Sequence, residues 1–343
     1  MKHHLNTLYV TTQNTYLAAE GETVAVKLDR ETKLRIPLHV LESIVCFGSV
    51  SCSPFLMGRC AERGVGLSFL TEHGRFLARV HGPVSGNVLL RKQQYKASED
   101  HGRAATLAKA FVAAKILNCR SVLMRAARDH PEGGSSEILR AAAHGLAASL
   151  ERLARMSDLD AVRGVEGDAA SLYFGTFDAM IVRQKGDFRF AGRTRRPPTD
   201  AVNALLSFAY TLLAHDVASA LEAVGLDPQV GFLHRDRPGR PGLALDLMEE
   251  LRPVLADRLV LSLINREQVR SNGFELRETG AVLMDNCTRK TFLESYQERK
   301  AEEIRHPYLE ERTTVGMLPH LQALLLARHL RGDIDGYPPF IWK

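Results

Sequence analysis

The sequence has few cysteines and none of the spacings that usually pair them. Its five cysteines among 343 residues are scattered, and no two form a Cys-x-x-Cys pair. This pattern argues against both a zinc site and a disulfide framework. A Walker loop, a Gly-x-Gly-x-x-Gly turn, a Gly-x-Ser-x-Gly elbow and a His-Glu-x-x-His pair are also absent. The common signatures of nucleotide-binding proteins, serine hydrolases and zinc proteases are therefore missing.

Long hydrophobic runs are missing as well. No apolar run approaches the roughly 18 residues that span a bilayer, and the N-terminal residues lack the apolar core of a signal peptide. We therefore expect a cytoplasmic protein with no membrane partner. With 45% hydrophobic and 25% charged residues, the composition is that of an ordinary globular protein, long enough for a full core.

The positive charge is unevenly distributed along the chain. The net charge is +5, and residues 1–97 hold 12 Lys and Arg against 7 Asp and Glu, which accounts for all of it (12 − 7 = 5). The remaining 33 basic and 33 acidic residues cancel (45 − 12 and 40 − 7). A basic N-terminal region joined to a neutral remainder is weakly consistent with a polyanionic partner such as nucleic acid.

The residue pattern changes character near residue 90. Before that point, short Val- and Thr-rich runs alternate with turn formers, which predicts a small, mostly antiparallel sheet with one or two short helices, one of them between Ser53 and Arg63. Beyond it, the helix formers Ala, Leu, Glu and Arg dominate. The sequence thus predicts an α+β fold, with a β-rich domain over residues 1–95 and a larger, mostly α-helical domain over residues 96–343.

The stretch from Gly231 to Arg252 carries the densest chemistry. His234 ends an apolar approach, the Arg-, Pro- and Gly-rich segment 235–242 predicts a loop, and a helix follows in which Asp246 and Glu249 share one face. Like charges one turn apart repel, and a cation between them would reverse that effect. Imidazole and carboxylates suit Mn²⁺ or Mg²⁺. Asp-x-x-Glu is equally typical of a helix capping box, and the pattern leaves both interpretations open.

Two further segments offer candidate site residues. Glu166 stands between two glycines at the predicted mouth of an apolar helix, where it would either cap that helix or face a ligand. A basic loop with interleaved phenylalanines follows at 183–198, which suits a nucleic-acid backbone or is simply a solvated loop. Asn203, beyond this loop, is a candidate to orient a site group, or equally a cap.

In this order, the motifs resemble those of the CRISPR-associated nuclease-integrase family Cas1. The resemblance covers the whole chain and rests on Gly164-x-Glu-Gly, Asn203-Ala-Leu-Leu-Ser, Gly231-Phe-x-His and Asp246-Leu-Met-Glu-Glu. The compact length and the ending Tyr-Pro-Pro-Phe-Ile-Trp-Lys look like the subtype I-C branch. The family acts in antiviral defence, where it inserts spacer DNA into the CRISPR array. Its N-terminal domain would then serve dimerisation or DNA contacts.

The resemblance implies roles for particular residues. Glu166, His234 and Glu249 match the family's Mg²⁺ or Mn²⁺ ligands, and Asp246 is an alternate catalytic acid or a supporting group. Asn203 would orient a group of the site without binding the metal itself. The expected DNA-binding residues are the arginines of the two basic loops: Arg189, Arg193, Arg195, Arg196, Arg235, Arg237 and Arg240.

The resemblance also implies partners. The family binds double-stranded DNA, both spacer precursor and CRISPR array, as a homodimer with a small ferredoxin-like companion subunit. We therefore predict a metal-dependent DNA endonuclease and integrase that joins 3′-hydroxyl ends by phosphoryl transfer. Two alternatives stay open at this point: a non-catalytic nucleic-acid-binding scaffold, and a metal-dependent nuclease for RNA or branched DNA with no role in integration.

Overall fold

The first quarter of the chain is built mainly from strands and the rest mainly from helices. In the computed structural model, which describes residues 6–82, 88–131 and 134–342, the chain divides into two units, Met1–Gly86 and Asn87–Lys343. The change of composition near residue 90 coincides with this division. The predicted boundary after residue 95 falls inside the first helix of the second unit, Val88–Glu99.

The N-terminal unit contains two four-stranded sheets, one in the order β1-β5-β7-β8 and the other in the order β4-β3-β2-β6. The expectation of a single, mostly antiparallel sheet was wrong, because β1–β5, β5–β7 and β2–β6 pair in parallel. Helix α1 (Pro54–Arg63) lies between β5 and β7 in the chain, and such a crossover brings the second strand back in the same direction. The strands are β1 Asn6–Val10, β2 Tyr16–Glu20, β3 Thr23–Leu28, β4 Glu31–Pro37, β5 Leu41–Phe47, β6 Ser51–Cys52, β7 Gly66–Leu70 and β8 Phe76–Val80.

Nine α-helices and two small hairpins make up the described part of the second unit. Its longest helix, α3, packs against α4, α5 and α7. The helices are α2 Val88–Glu99, α3 His101–Asp129, α4 Gly134–Ala154, α5 Leu159–Gly175, α6 Ala201–Ala223, α7 Gly242–Arg252, α8 Arg258–Asn265, α9 Asn286–Ala301 and α10 Leu318–Arg331. The hairpins pair β9 Phe274–Leu276 with β10 Val282–Met284, and β11 Glu303–Arg305 with β12 Arg312–Thr314.

Helices α7 and α8 are joined without a loop. The turns between them, Pro253–Asp257, are π-helical. Pro253 has no N–H to bond the carbonyl four residues back, and its ring crowds that carbonyl, so regular α-helical winding cannot pass through this point.

Helix α6 is strongly apolar along its length. Within the described residues it is the one helix long and apolar enough to cross a membrane, but 67% of its most apolar 18-residue stretch is buried inside the protein. It contacts α7, α8 and α10. Its apolar sequence is therefore accounted for by its place in the protein core.

The C-terminal segment packs against helices α3 and α7 of the same unit. Tyr337 and Phe340 are buried, and the carboxylate of Glu250 on α7 accepts hydrogen bonds from the Tyr337 hydroxyl and the Phe340 N–H. Asn118 on α3 donates to the Phe340 carbonyl at 2.9 Å and accepts from the Trp342 N–H at 2.8 Å. The segment thus ties α3 to α7.

His306 beside this segment should make stability pH-dependent. Burial lowers the pKa of His306, and its Nδ1 accepts from the N–H groups of Tyr308 and Leu309, an arrangement that protonation would break. Because the folded pKa lies below the unfolded value of about 6.5, this stabilisation is complete above pH 6.5 and is lost as pH falls through the folded pKa. Between pH 7.5 and pH 5, the free energy of unfolding measured by urea titration should fall by less in His306→Gln than in the native protein. The exposed control His144→Gln should match the native protein.

Candidate active site

Glu166 lies within a helix rather than at its start. Helix α5 begins after Asp158, whose carboxylate caps it by accepting the Ala161 N–H at 2.8 Å. Glu166 is therefore about two turns into the helix and caps nothing. The capping interpretation of Glu166 is wrong, and its half-buried side chain is free to line a cavity.

Asp246 organises the chain segment that carries His234. The fully buried Asp246 carboxylate accepts the N–H groups of Phe232, Leu233 and His234 at 2.5, 2.9 and 3.0 Å. The capping-box interpretation of Asp246 is wrong too, because α7 begins at Gly242 without any side-chain cap. Asp246 instead satisfies three backbone donors of the preceding loop, which would be costly to bury unpaired.

The same carboxylate also fixes the His234 ring. His234 Nδ1 lies 2.6 Å from Asp246 Oδ1. A carboxylate can only accept there, so Nδ1 carries the proton and Nε2 keeps its lone pair for a ligand or a proton. A carboxylate behind a histidine is the usual support for a metal-binding imidazole.

Glu249 lies one turn beyond Asp246 in a strongly positive environment. Lys115 Nζ on α3 lies 2.8 Å from Glu249 Oε2, and Arg252 NH2 lies 2.9 Å from the same oxygen. Burial alone would raise the pKa of Glu249, but Arg252, Lys115 and His234 together outweigh it and hold that pKa well below its usual value. Glu249 is therefore ionised at neutral pH. Lys115 also pairs with Glu166 and so bridges the two acids.

Glu166, His234 and Glu249 line one polar cavity of about 600 Å³. Arg163 was not among the predicted site residues. Its Nε donates a 2.6 Å hydrogen bond to the Leu233 carbonyl, which links α5 to the segment that carries His234. Burial, and to a smaller extent the neighbouring Arg237, lowers the pKa of Arg240. The lining residues are Asp160, Arg163, Gly164, Glu166, Arg195, Leu233, His234, Arg235, Arg237, Arg240 and Glu249.

The predicted arginines divide into three groups. Arg195, Arg235, Arg237 and Arg240 form the rim of this cavity together with Arg163. Arg189 and Arg196 are exposed and lie outside the lining.

Arg193 turns inward instead. Its guanidinium donates to Asn203 Oδ1 at 2.7 Å and to Ser207 Oγ at 3.0 Å, and it stacks 5.2 Å from the Tyr210 ring. Asn203 in turn accepts the Thr194 N–H at 3.0 Å and donates to the Gly192 carbonyl at 2.8 Å. Arg193 and Asn203 therefore hold the basic loop onto α6, at a place outside the cavity lining.

A divalent cation fits the donor set of the cavity, although the acids are not arranged around one. In the described part of the chain, no three His, Cys, Asp or Glu side chains converge as a ready metal cluster. The Lys115 ammonium already bridges Glu166 and Glu249, so a positive charge stands where a cation is expected. Glu249 Oε2 is buried between Lys115 Nζ at 2.8 Å and Arg252 NH2 at 2.9 Å, so a cation could reach it only in place of one of these groups.

Lys115 and Arg252 were not among the predicted site residues. A signal for Lys115 does exist, because it occupies an inward position of α3 in line with Phe111 and Cys119, both buried. A lysine within such an apolar stripe needs a buried counter-charge. Arg252 is one turn from Glu249, at the spacing of a helical ion pair.

Gly231 makes room for Asp246, which predicts a large effect of adding one methyl group. A Cβ on Gly231 would lie 2.6 Å from Asp246 Oδ2 and 2.7 Å from the Gly242 carbonyl carbon. Gly231→Ala should therefore lower the free energy of unfolding by about 2–4 kcal/mol. Gly167→Ala, on open helix surface, should raise it by about 0.5–1 kcal/mol. Urea titration of both variants checks the contrast, and equal stabilities would contradict it.

Comparison with known proteins identifies the family. The family description "CRISPR associated protein Cas1" matches residues 8–298. The chain belongs to the Cas1 family. A CRISPR-associated endonuclease Cas1 of Chlorobaculum tepidum is 57% identical over 343 residues, with full coverage of both chains. One of Rhodospirillum rubrum is 54% identical over 351 residues, also with full coverage of both. The predicted family membership is confirmed.

A solved Cas1 structure confirms the fold class. The Cas1 protein from Thermotoga maritima superposes with a TM-score of 0.81 at 21% identity, covering 95% of this chain and 97% of that one. The α+β prediction, a small β-rich domain before a larger helical one, is therefore confirmed. The names of these relatives carry no CRISPR subtype, so I-C stays a prediction.

Proposed function

We propose that this Cas1-family protein cuts and joins DNA at the arginine-rimmed cavity, with Mg²⁺ or Mn²⁺ as cofactor. One observation carries the proposal: Glu166, His234 and Glu249, from three separate segments, line a single cavity whose rim bears five arginines. The names of the two full-length relatives, both CRISPR-associated endonucleases, support the same activity.

The residues divide the work of phosphoryl transfer between them. The chemistry that a divalent cation would supply here is activation of the attacking oxygen and neutralisation of charge on the phosphoryl oxygens. Glu166, Glu249 and His234 Nε2 would hold it, and the carboxylate of Asp246 keeps the His234 ring in position. The alternative role of His234 is that of general acid, in which a protonated Nε2 would donate its proton to the leaving 3′-oxygen.

The arginine rim gives the cavity its substrate class. Five guanidinium groups around an acidic centre suit consecutive phosphates of a nucleic acid, and such contacts hold a strand without reading its sequence. The same site would serve water or a DNA 3′-hydroxyl as nucleophile, and the choice sets hydrolysis or strand joining. The arginine rim supports duplex DNA from the spacer and the CRISPR array as a partner, and the family resemblance adds a second copy of the chain and a ferredoxin-like companion subunit as proposed partners.

Strand joining tests the proposal directly. Short duplexes with free 3′-hydroxyls would be incubated with supercoiled plasmid and Mn²⁺ or Mg²⁺, comparing the native protein with His234→Ala. Joined product from the native protein alone supports integration. Plasmid relaxation without strand joining, even with the companion subunit present, would indicate a nuclease that does not integrate DNA. No metal-dependent product from either protein would favour a non-catalytic scaffold, and preference for RNA or branched DNA would favour the other alternative.

DNA affinity should fall steeply with salt. Each phosphate contact adds close to one unit to the slope of log affinity against log salt. Arg237→Ala should weaken binding to all sequences alike and lower the slope by about one unit. Fluorescence anisotropy with a labelled duplex at several salt concentrations measures both effects. Arg128→Ala, at an exposed position on α3, serves as the control, and a slope that is the same in all three proteins would contradict the proposed surface.

A further inference from the structure

Lys115 places a buried positive charge between two of the proposed metal ligands. Its side chain is only 3% exposed, and it extends from α3 to Glu166 on α5 and Glu249 on α7. Lys115 is not among the residues that line the cavity, so it reaches the carboxylates from the protein interior. Without that charge, two ionised acids on different helices would repel one another across a poorly solvated space.

A divalent cation and the Lys115 ammonium would compete for the same oxygens. Lys115 Nζ lies 2.8 Å from Glu249 Oε2 and is hydrogen-bonded to Glu166 Oε1. A cation held by both carboxylates would come close to this ammonium, and like charges at such a distance in the protein interior repel strongly. Binding therefore requires one positive group beside Glu249 to withdraw.

Of the two positive groups beside Glu249, we expect Lys115 rather than Arg252 to withdraw. The Arg252 guanidinium takes both oxygens of Glu249, at 3.2 Å for Oε1 and 2.9 Å for Oε2, and lies 5.0 Å from the Tyr210 ring. A planar group held on two sides is fixed in place, whereas an ammonium on a four-carbon stem reorients readily.

We propose that Lys115 is an internal counter-ion that holds Glu166 and Glu249 together in the metal-free protein and withdraws when the divalent cation binds. The inference rests on the proposed function, because it takes these two acids as metal ligands. It assigns to Lys115 a positioning role, in which the acids are pre-assembled without metal. The cost of displacing the lysine then sets a metal affinity weaker than the two acids alone would give.

The affinity of the full-length protein for Mn²⁺ tests the proposal without reference to DNA chemistry. Free Mn²⁺ would be measured by electron paramagnetic resonance for the native protein, Lys115→Met and Lys115→Gln. Both variants should bind Mn²⁺ about tenfold more tightly or better, since the competing charge is gone. The matched control is Lys109→Met. Lys109 lies on the same helix, and its ammonium donates to the carbonyls of Ala154 and Met156 rather than to the proposed ligands. The affinity of this control for Mn²⁺ should equal that of the native protein.

A second readout covers loss of stability in the variants. Without metal, both Lys115 variants should melt at a lower temperature than the native protein, and saturating Mn²⁺ should restore most of the difference. If either variant is unfolded without metal, recovery of its native circular dichroism on adding Mn²⁺ supports the proposal, and failure to recover overturns it.

Mn²⁺ binding distinguishes failure of the counter-ion role of Lys115 from failure of the proposed metal site. Mn²⁺ affinity that is unchanged or weaker in Lys115→Met, with binding still lost in Glu249→Gln, would overturn the counter-ion role and leave the metal site intact. Mn²⁺ binding that Glu249→Gln does not affect would overturn the proposed metal site, and the counter-ion role with it.

Discussion

Glu166→Gln is expected to lower the rate of DNA cleavage and strand joining by about 10³-fold while the protein remains folded. The substitution keeps the size of the side chain and its capacity to accept a hydrogen bond from Lys115, but it removes the negative charge that the cofactor needs. Losses of this size are typical when one charged group of an electrostatic active site is removed. Because the Glu166 side chain is 27% exposed, the free energy of unfolding should change by no more than about 1 kcal/mol.

The control for this prediction lies on the same helix. Asp168 is 62% exposed, pairs with Arg152 and lies outside the cavity lining. Asp168→Asn should therefore retain native activity. Initial rates of plasmid relaxation and strand joining, with DNA binding measured in parallel, check both variants. A Glu166→Gln protein with native rates would remove Glu166 from the active site.

Asp246→Asn is expected to lower the free energy of unfolding by about 3–5 kcal/mol. The Asp246 carboxylate accepts three backbone N–H groups and the His234 imidazole. An amide offers only one accepting oxygen, so its NH₂ group would face at least one of these donors. Loss of a buried, charge-assisted network of this kind is among the most damaging single changes. Denaturant titration of the variant measures it.

The same variant decides between Asp246 and Glu249 as the third metal ligand. If Asp246 only positions His234, Asp246→Asn should reduce but not abolish the rise in melting temperature that Mn²⁺ causes. Glu249→Gln should lose that rise. An Asp246→Asn protein as stable as the native one, yet unable to respond to Mn²⁺, would instead make Asp246 the ligand.

The candidate site shows which features a sequence can reveal. Glu166, His234 and Glu249 were proposed from motif order and resemblance, and the fold brings all three to one cavity. The local interpretations of Glu166 and Asp246 as helix caps failed, because helix starts depend on competing caps and neighbouring loops. Asp158 begins α5 earlier than the glycine pattern indicated.

Apart from the Arg252–Glu249 pair, the main contacts that the sequence did not reveal join separate segments of the chain. Lys115 meets Glu166 and Glu249 only through the packing of α3 against α5 and α7. Arg193 was grouped with the DNA-binding arginines by composition, but the Tyr210 ring and the Asn203 amide draw it inward. No local pattern records which surface of a distant helix a side chain will meet.

The π-helical turns at Pro253–Asp257 fix the distance between two buried acids. Asp257 accepts the Tyr210 hydroxyl at 2.5 Å, and it stands eight residues after Glu249. Deleting one residue in these turns would rotate all of α8 by about 100° relative to Glu249. Among natural Cas1 sequences, the interval from Glu249 to Asp257 should therefore keep its length, and insertions and deletions should collect in the exposed loops instead.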